Sequence, residues 1–247
     1  METAFSAEVA SLRLSPRETF HLHRVLRLKP GDPCQIFNRN GWGAEAVVET
    51  VSQTEGALLR LKKTYPLKEK SIVLKVGQAL PQKGKLDDLI RQAEELGVYE
   101  LWALETERTI VKMRREAKER ARSRWERIVI EAAKQSGNPV LMRTHGPDSF
   151  RKVLEEQLRE SDSAFLFHPD PTGVPFRSVM EDLSRKGLEQ IPSSIFLSLG
   201  PEGGFTEQEV RLAESRGVQK VFLGDSVLRV ETAFLSVVGA IRFLTSE

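Results

Sequence analysis

SIFLSLGPEGGFTEQEV (194–210) and KVFLGDSVLRVETAFLSVVGAIRF (220–243) lie in one stretch, Ser194 to Phe243, which determines how the rest of the chain is interpreted. Two short apolar runs within it, Ile195–Leu199 and Val221–Leu223, are typical of buried strands. Each run leads into a glycine-containing loop and then into a helix-forming segment. Parallel strands present their carboxyl ends at one edge of a sheet, where open α/β sheets bind ligands. The two loops are therefore predicted to lie side by side at such an edge.

Capping patterns predict where the two helices begin. Thr206 and Glu209 have the spacing of a capping box, so the first helix should begin at Thr206. Glu231 and Thr232 suit the first turn of the second helix, because carboxylates and hydroxyls accept hydrogen bonds from the free N–H groups there. Each helix thus follows directly on a loop that contains glycine.

The first loop, Gly200-Pro201-Glu202-Gly203-Gly204, suits a ligand that is held by backbone groups, since glycines let the backbone approach a ligand closely. It contains no lysine, its glutamate would repel a phosphate, and neither GxGxxG nor GxxxxGK[ST] is present. An adenine or a ribose is the predicted ligand. One alternative is a plain tight turn before a helix cap. The other is a variant dinucleotide-binding loop in which Asp225 would bind the ribose.

Two segments in order, GPEGGFTEQEV (200–210) and LGDSVLRVETA (223–233), resemble the paired signature of the RsmE family. Members of this family are S-adenosylmethionine-dependent methyltransferases of the SPOUT superfamily, and they modify N3 of a uridine in small-subunit (16S) ribosomal RNA. The resemblance extends over HLHRVLRLKPGD (21–32), residues 78–112 and RWERIVIEAAKQSG (124–137). The chain departs from the family pattern at two positions. Asn138 stands where the family usually has arginine, and Ser226 where it commonly has arginine or asparagine.

The resemblance implies an α/β fold in two domains. Residues 71–247 would form a SPOUT-type methyltransferase domain with a parallel sheet and a C-terminal trefoil knot. Residues 1–70 would form a small PUA-like, RNA-binding β-barrel. The family also implies S-adenosyl-L-methionine as cofactor, ribosomal RNA as partner, and a homodimer with the site near its interface.

The candidate site residues lie in and after the two glycine-containing loops. The predicted cofactor-binding residues are Leu199, Gly200, Pro201, Gly203, Gly204, Leu223, Gly224 and Leu228. The predicted catalytic residues are Arg229 and Glu231. Arg229 would stabilise the uracil oxygens or hold a phosphate. Glu231 would orient Arg229, or accept a proton if burial raised its pKa. The alternative role of Arg229 is an ion pair with Glu231 or Glu202.

Two groups of basic residues are predicted to contact RNA, because clustered cations neutralise phosphates. The residues are Arg13, Arg24 and Arg27 in the first domain, and Lys112, Arg114 and Arg115 at the start of a predicted long helix. The alternative for this helix is a solvated face with pairs such as Glu116–Arg120. Trp125 is predicted to pack in the core because of its helical spacing with Ile128 and Val129.

The rest of the second domain alternates strand-like and helical segments, which predicts a parallel sheet with helices on both faces. The predicted strands are Ile72–Leu80, Leu101–Leu104 and Ala164–Phe167, and the predicted helices are Lys85–Leu96, Lys112–Gly137, Asp148–Glu160 and Phe176–Arg185. The end of strand 164–167 should reach the same pocket as the glycine loops. His168 there is predicted to close its loop, with contact to the cofactor as the alternative.

Composition excludes several classes of protein. The 247 residues are 40% hydrophobic and 29% charged, which is typical of a globular protein, and no apolar run approaches the length of a membrane helix. One cysteine, Cys34, excludes a disulfide framework, and no metal site is expected. The start METAFSAEVA does not resemble a secretory signal. We therefore expect a cytoplasmic protein without a membrane partner. The net charge of +2 neither requires nor excludes nucleic acid.

Three functions compete at this point. The first is methylation of uridine N3 in small-subunit ribosomal RNA. The second is a non-catalytic RNA-binding or ribosome-assembly factor of the same fold, which the changes at Ser226 and Asn138 leave open. The third is a nucleotide-dependent oxidoreductase, which the GPEGG loop supports poorly.

Overall fold

The computed structural model describes residues 10–38, 41–52, 54–67, 72–82, 84–110, 113–185 and 191–245. The chain divides into two compact units, Met1–Glu69 and Lys70–Glu247. The first unit is a small antiparallel β structure and the second is a larger α/β structure. The roles predicted for residues 1–70 and 71–247, RNA binding and methyl transfer, go beyond this division and stay predictions.

The first unit contains a four-stranded antiparallel sheet in the order β1-β4-β3-β2. The strands are β1 (Ser11–Arg13), β2 (Pro33–Phe37), β3 (Trp42–Ser52) and β4 (Gly56–Pro66). One face of the sheet and the short helix α1 (Pro16–Phe20) enclose an apolar core that includes Leu22, Val48 and Leu59. The predicted small β unit is confirmed, whereas closure of its sheet into a barrel stays a prediction.

The helical segment of this unit is irregular. After α1 the backbone continues as a π-helical turn, His21–Val25, and Arg27 then adopts a left-handed φ of 57°. Thr19 ties α1 to the sheet because its hydroxyl accepts a hydrogen bond from the Ala57 backbone N–H at 2.7 Å.

The second unit is built on a parallel sheet of seven strands in the described part of the chain. The strands are β5 (Val73–Ala79), β6 (Glu100–Glu105), β7 (Arg143–Ser149), β8 (Ser163–Phe167), β9 (Val174–Pro175), β10 (Ser194–Leu199) and β11 (Gln219–Phe222). Their order is β7-β6-β5-β10-β8-β11-β9, and every neighbouring pair is parallel.

Helices cover both faces of this sheet, as the alternating pattern predicts. They are α2 (Lys85–Glu95), α3 (Arg115–Ser136), α4 (Phe150–Glu160), α5 (Phe176–Arg185), α6 (Glu207–Ser215) and α7 (Val230–Thr245). One apolar core joins the sheet to α2, α3, α5 and α7, and a second joins it to α4 and α6. All six residues of β10 are buried, which explains why four of them are large and apolar. Trp125 is fully buried, so its predicted core position is confirmed.

Two strands of the sheet, β7 and β9, were not predicted from sequence. The sequence of β7, RTHGPDS, lacks strand-like alternation because β7 is an edge strand, where a proline needs no ladder partner. Its outer carbonyls are bound by α3 instead. Arg122 Nε donates to Gly146 O at 2.6 Å, and Lys118 Nζ donates to Pro147 O at 2.9 Å. Helix α4 accordingly begins at Phe150, capped by Ser149, rather than at Asp148.

The strands that precede the two glycine loops are not direct neighbours, which corrects the predicted arrangement. Strand β8 lies between β10 and β11 and pairs with both. The loops after β10 and β11 therefore flank the end of β8, and three strand ends converge at one point of the sheet edge.

Candidate active site

A pocket of about 270 Å³ opens where β8, β10 and β11 end. Its lining comprises Arg108, Phe167, His168, Pro169, Leu199, Gly200, Pro201, Glu202, Gly203, Gly204, Leu223, Gly224, Ser226, Val227, Leu228, Val230 and Ala233. All eight predicted cofactor-binding residues belong to this lining. The structure thus brings the two glycine loops to one cavity, and the role of each residue in binding stays a prediction.

The glycines of the first loop serve two different purposes. A Cβ at Gly200 would lie 3.2 Å from the Gly204 Cα and 3.3 Å from a ring carbon of Phe205, so Gly200 lets the loop fold onto itself. Gly204 has a φ of +69°, and its N–H donates to Pro201 O at 2.8 Å. A Cβ there would meet no atom of the described residues within 4 Å. Gly204 is therefore required for its left-handed backbone and leaves open space beside it.

Contacts from other segments anchor the loop 200–204, among them the Lys85–Glu202 ion pair at 3.3 Å. Gln78 Nε2 donates to Gly200 O at 3.2 Å, Arg108 Nη1 donates to Gly203 O at 2.7 Å, and the Gln82 N–H donates to the Glu202 carboxylate at 3.1 Å. Gln78 lies at the end of β5, Gln82 follows β5, and Arg108 follows β6. The carboxyl ends of both strands lie at the same side of the sheet as the loop. The loop is thereby held in shape by the protein itself.

Sequence reasoning missed Gln78, Lys85 and Arg108 as parts of this region. The available signal was their position. Each lies at or shortly after the carboxyl end of a strand, within residues 78–112, the segment that resembles the family throughout.

The chemistry of the lining fits a nucleoside better than a dinucleotide. Apolar side chains such as Phe167, Leu199 and Leu223 suit a base, and the open backbone of the glycine loops suits polar groups of a ribose. The charged groups of the lining are one arginine and one glutamate, which do not form a phosphate cradle. Asp225, the candidate ribose ligand of a dinucleotide-binding loop, is exposed and outside the lining.

Arg229 lies beside the pocket rather than in its wall. It is exposed and stands between Leu228 and Val230, which both line the cavity. Its backbone carbonyl accepts from the Ala233 N–H at 2.9 Å, in the first turn of α7. The guanidinium is thus attached to a fixed helix start while its side chain is accessible to solvent.

Glu231 does not meet the condition under which it could accept a proton. Hydrogen bonds from its own backbone N–H and from Lys85 hold the pKa of Glu231 below its ordinary value. Its ion pair is with Lys85, whose Nζ lies 3.1 Å from Oε1, and Arg229 acts on the carboxylate through charge alone. Proton acceptance by Glu231 would have required the opposite shift.

His168 closes the loop after β8, as predicted, and also lines the pocket. Its Nδ1 accepts from the Asp170 N–H at 3.2 Å. The Asp170 carboxylate in turn binds Lys220 Nζ at 2.8 Å and the Thr172 N–H at 2.9 Å. The Lys220 ammonium and these hydrogen bonds hold the pKa of Asp170 far below its ordinary value. The third side of the pocket is therefore fixed by a compact polar turn.

The predicted RNA-contacting residues are exposed where the structure describes them. In the first unit, Arg24 and Arg27 are exposed, and Arg13 pairs with Glu55 at 3.6 Å. In the second unit, Arg114 and Arg115 are exposed at the start of α3, and the remaining candidate, Lys112, lies outside the described residues. Their contact with RNA stays a prediction.

Asn138 and Ser226, the two departures from the family pattern, have different structural surroundings. Asn138 Nδ2 donates to Glu94 Oε1 at 2.7 Å, and Glu94 is fully buried at the end of α2. Asn138 therefore satisfies a buried carboxylate, together with the Met142 N–H at 2.7 Å. Ser226 is exposed and lines the pocket, so its side chain remains available to a ligand.

No helix within the described ranges is long and apolar enough to cross a membrane.

Comparison with known proteins identifies relatives that cover most of the chain. A family model described as an RNA methyltransferase domain matches residues 68–242. Ribosomal RNA small subunit methyltransferase E of Bacillus subtilis is 29% identical over 243 residues, with 96% of this chain and 92% of that protein covered. The protein of the same name from Synechocystis is 30% identical over 224 residues, with 91% of this chain and 70% of that protein covered.

Solved structures are similar in fold to this chain. A Legionella pneumophila protein in complex with bound S-adenosylmethionine is 25% identical, with a TM-score of 0.80 over 98% of this chain and 95% of that one. A ribosomal RNA small subunit methyltransferase E from Neisseria gonorrhoeae, bound to S-adenosylmethionine, has a TM-score of 0.81 at 23% identity. The match covers 99% of this chain and 95% of that one.

Proposed function

The chain belongs to the ribosomal RNA small subunit methyltransferase E family of RNA methyltransferases, and we propose that it methylates N3 of a uridine in 16S ribosomal RNA. S-adenosyl-L-methionine is the proposed methyl donor. The observation that carries this proposal is the convergence of all eight predicted cofactor-binding residues on one pocket. Membership in an enzyme family supports catalysis over a non-catalytic assembly factor. The lining offers few groups that could bind a phosphate, which argues against a dinucleotide-dependent oxidoreductase.

The proposed donor fits what the pocket offers. When bound, S-adenosylmethionine supplies a methyl group activated by its sulfonium charge. Backbone groups of the loops at Leu199–Gly204 and Leu223–Leu228 would hold its nucleoside part between apolar side chains. The anchored loop is shaped before binding, which favours alignment of the methyl group with the acceptor nitrogen.

Arg229 is the proposed catalytic residue. Loss of the N3 proton to solvent water leaves negative charge on the uracil O2 and O4 atoms, and a positioned cation stabilises that charge. Arg229 is exposed beside the cavity, and its guanidinium supplies such a cation. Since the pKa of Glu231 is lowered, we propose that this carboxylate fixes the start of α7 and contributes negative charge near Arg229 rather than accepting the proton.

The proposed RNA partner and compartment follow from the substrate. Arg13, Arg24 and Arg27 in the first unit and Arg114 and Arg115 in the second are the proposed phosphate contacts. Small-subunit ribosomal RNA is the substrate named for the relatives, so we infer that the protein works in the cytoplasm, where ribosomal subunits are assembled.

A homodimer formed through α7 is the proposed assembly. Leu235 and Phe243 are exposed large apolar residues on this helix, and Phe243 is 89% exposed. Gly239 lies between them on the same face, and a Cβ there would meet no atom of the described residues within 4 Å. An apolar helix face with a glycine at its centre allows another helix to approach closely. Light scattering tests the proposal. The protein should measure as a dimer and Phe243→Asp as a monomer, whereas a monomeric wild type would contradict it.

A methyl-transfer assay tests the proposed function. Purified protein is incubated with S-adenosylmethionine carrying a labelled methyl group and with 30S subunits from a strain that lacks the corresponding enzyme. Digestion and mass spectrometry should locate the label in 3-methyluridine of 16S RNA. Label in another nucleoside, or no transfer to naked RNA or to subunits, would contradict the proposal.

A further inference from the structure

We propose that Lys85 is a positioning residue that holds the two walls of the methyl-donor pocket at a fixed separation by bridging Glu202 and Glu231. One wall is the loop 200–204, and the other is the segment that leads into α7. The inference deepens the proposed function and rests on it for the identity of the ligand.

The bridge joins segments that are far apart in sequence. Lys85 Nζ lies 3.3 Å from Glu202 Oε1 and 3.1 Å from Glu231 Oε1. Glu202 itself lines the pocket, and Glu231 follows Val230, which also lines it. Because both carboxylates contact one nitrogen, their oxygens can be no farther apart than these two distances together. Lys85 is thus the common tie between the walls.

Helix stability does not account for Lys85. It is the first residue of α2, where the free N–H groups of the helix favour negative rather than positive side chains. Asp87 and Asp88 already supply negative charge in this first turn. A lysine at this position opposes the helix dipole, so its contribution must come from the carboxylates it binds.

Electrostatic attraction to Lys85 holds the two glutamates, and with them the two walls of the pocket, close together. Glu231 and Glu202 raise the pKa of Lys85, so the ammonium stays charged throughout the neutral range. Burial alone would raise the pKa of Glu202, but hydrogen bonds from its own backbone N–H, Gln82 and Lys85 lower it. Both glutamates are therefore ionised near neutral pH. Without the cation between them they would repel each other and push the walls apart.

The position of Arg229 depends on the same bridge. Arg229 is two residues before Glu231, and its carbonyl accepts from Ala233 in the first turn of α7. A shift of this turn would move the guanidinium together with the pocket wall. Lys85 thereby couples the donor pocket to the residue proposed to stabilise the uracil.

Calorimetric titration with S-adenosylhomocysteine tests the inference without any turnover. Lys85→Met keeps most of the length of the side chain, removes its charge and suits a helix. Because the three side chains are about one-third exposed, we expect the dissociation constant to rise roughly three- to tenfold. Lys152→Met is the matched control, since Lys152 also lies between two carboxylates, Asp148 and Glu156, away from the pocket. It should bind like the wild type.

Rescue variants separate positioning from a general loss of structure. Lys85→Arg should restore most of the affinity, because a guanidinium can still bridge the glutamates. Adding Glu202→Gln to Lys85→Met should recover part of the loss, since it removes the repulsion. If Lys85→Met fails to fold by circular dichroism, Lys85→Gln replaces it and should show the same weakened binding, because it too leaves the two glutamates without a cation between them.

The outcomes distinguish this inference from the proposed function. Equal affinity of the wild type and Lys85→Met, or no recovery on adding Glu202→Gln, would overturn the role of Lys85 and leave methyl transfer untouched. Failure of the wild type itself to bind S-adenosylhomocysteine would instead overturn the proposed function.

Discussion

At the scale of single residues, the pocket separates glycines needed for packing from glycines that face open space. Gly200 lies against Gly204 and Phe205, so any side chain there would disturb the loop itself. Gly204 and Gly224 have φ values of +69° and +126°, and a Cβ at either would meet no atom of the described residues within 4 Å. We infer that the space beside these two glycines is where the ligand approaches the backbone.

Gly204→Val should abolish or strongly weaken S-adenosylhomocysteine binding, by about 1–3 kcal/mol from overpacking of the occupied pocket. The valine also carries the strain of a left-handed backbone, about 1–2 kcal/mol of stability. Gly217→Val is the matched control, because Gly217 has a φ of +86°, equally open surroundings and a place outside this pocket. It should lose similar stability in thermal unfolding and keep its affinity in calorimetry. Equal affinity of both variants would refute the close-approach argument.

Arg229→Ala should reduce the rate of methyl transfer at least about a hundredfold, since it removes a cation placed for the charge of the reacting base. Binding of S-adenosylhomocysteine should persist, because Arg229 does not line the pocket. Arg211→Ala is the control, as Arg211 is an exposed arginine on α6 paired with Glu207 at 3.0 Å. Single-turnover rates and calorimetry on the same preparations provide the comparison. Retained turnover would exclude Arg229 from the chemistry.

At the scale of elements, α6 connects its own cap to the pocket. The capping box predicted from Thr206 and Glu209 is confirmed, with the Thr206 N–H donating to Glu209 Oε2 at 2.9 Å. The other oxygen of Glu209 accepts from the Glu107 N–H at 2.9 Å. Glu209 therefore fixes the turn that carries Arg108, the residue that binds the Gly203 carbonyl.

Glu209→Ala should lower the free energy of unfolding by about 2 kcal/mol, because two backbone N–H groups lose their acceptor and Glu209 is buried. Thr206→Ala should cost about 1 kcal/mol, the usual value of a helix cap. Glu207→Ala serves as control, since this carboxylate lies in the same turn and is 85% exposed. Urea unfolding measures all three. A loss for Glu209→Ala no larger than that for Glu207→Ala would contradict the proposed double role.

Elements with strong local signals could be predicted from the sequence, and those defined by tertiary position could not. β10 is indicated by a short, mainly apolar run, and the start of α6 by a capping box. β7 has no such signal, because an edge strand containing Gly146-Pro147 is stabilised by Arg122 and Lys118 from α3. The insertion of β8 between β10 and β11 is a matter of strand order, which local pattern does not determine.

At the scale of the whole molecule, one part of the site could be predicted from the sequence, and another part is defined only by the folded structure. The two glycine loops could be found because glycine, proline and capping residues act locally. Lys85, Gln78 and Arg108 are separated from these loops by about a hundred residues or more, and their contacts exist only after the sheet is assembled. The pKa of Glu231 is lowered first by its own backbone N–H and then by Lys85, and the contribution of Lys85 could not be predicted from the residues near Glu231 in sequence.

Affinity for RNA should depend on the arginines of the first unit. We expect Arg13→Ala/Arg24→Ala/Arg27→Ala to weaken binding to 16S RNA and to lower the slope of log affinity against log salt by about 0.7–0.9 for each phosphate that the arginines no longer neutralise. A control with the same change of charge removes Arg177, Arg185 and Arg211, which pair with glutamates on their own helices. Filter binding at several salt concentrations measures both variants. Parallel slopes for the two would show that net charge alone, rather than the first unit, determines binding.

The proposed function depends above all on the glycine loops after β10 and β11 holding an adenosyl methyl donor mainly through backbone atoms. A crystal structure of the protein with S-adenosylhomocysteine is the decisive experiment. We expect the nucleoside between Leu199–Gly204 and Leu223–Leu228, with its polar atoms bonded to backbone groups and its sulfur on the side of Arg229. A nucleoside bound elsewhere, or held chiefly by charged side chains, would show that the loops do not bind the donor in this way.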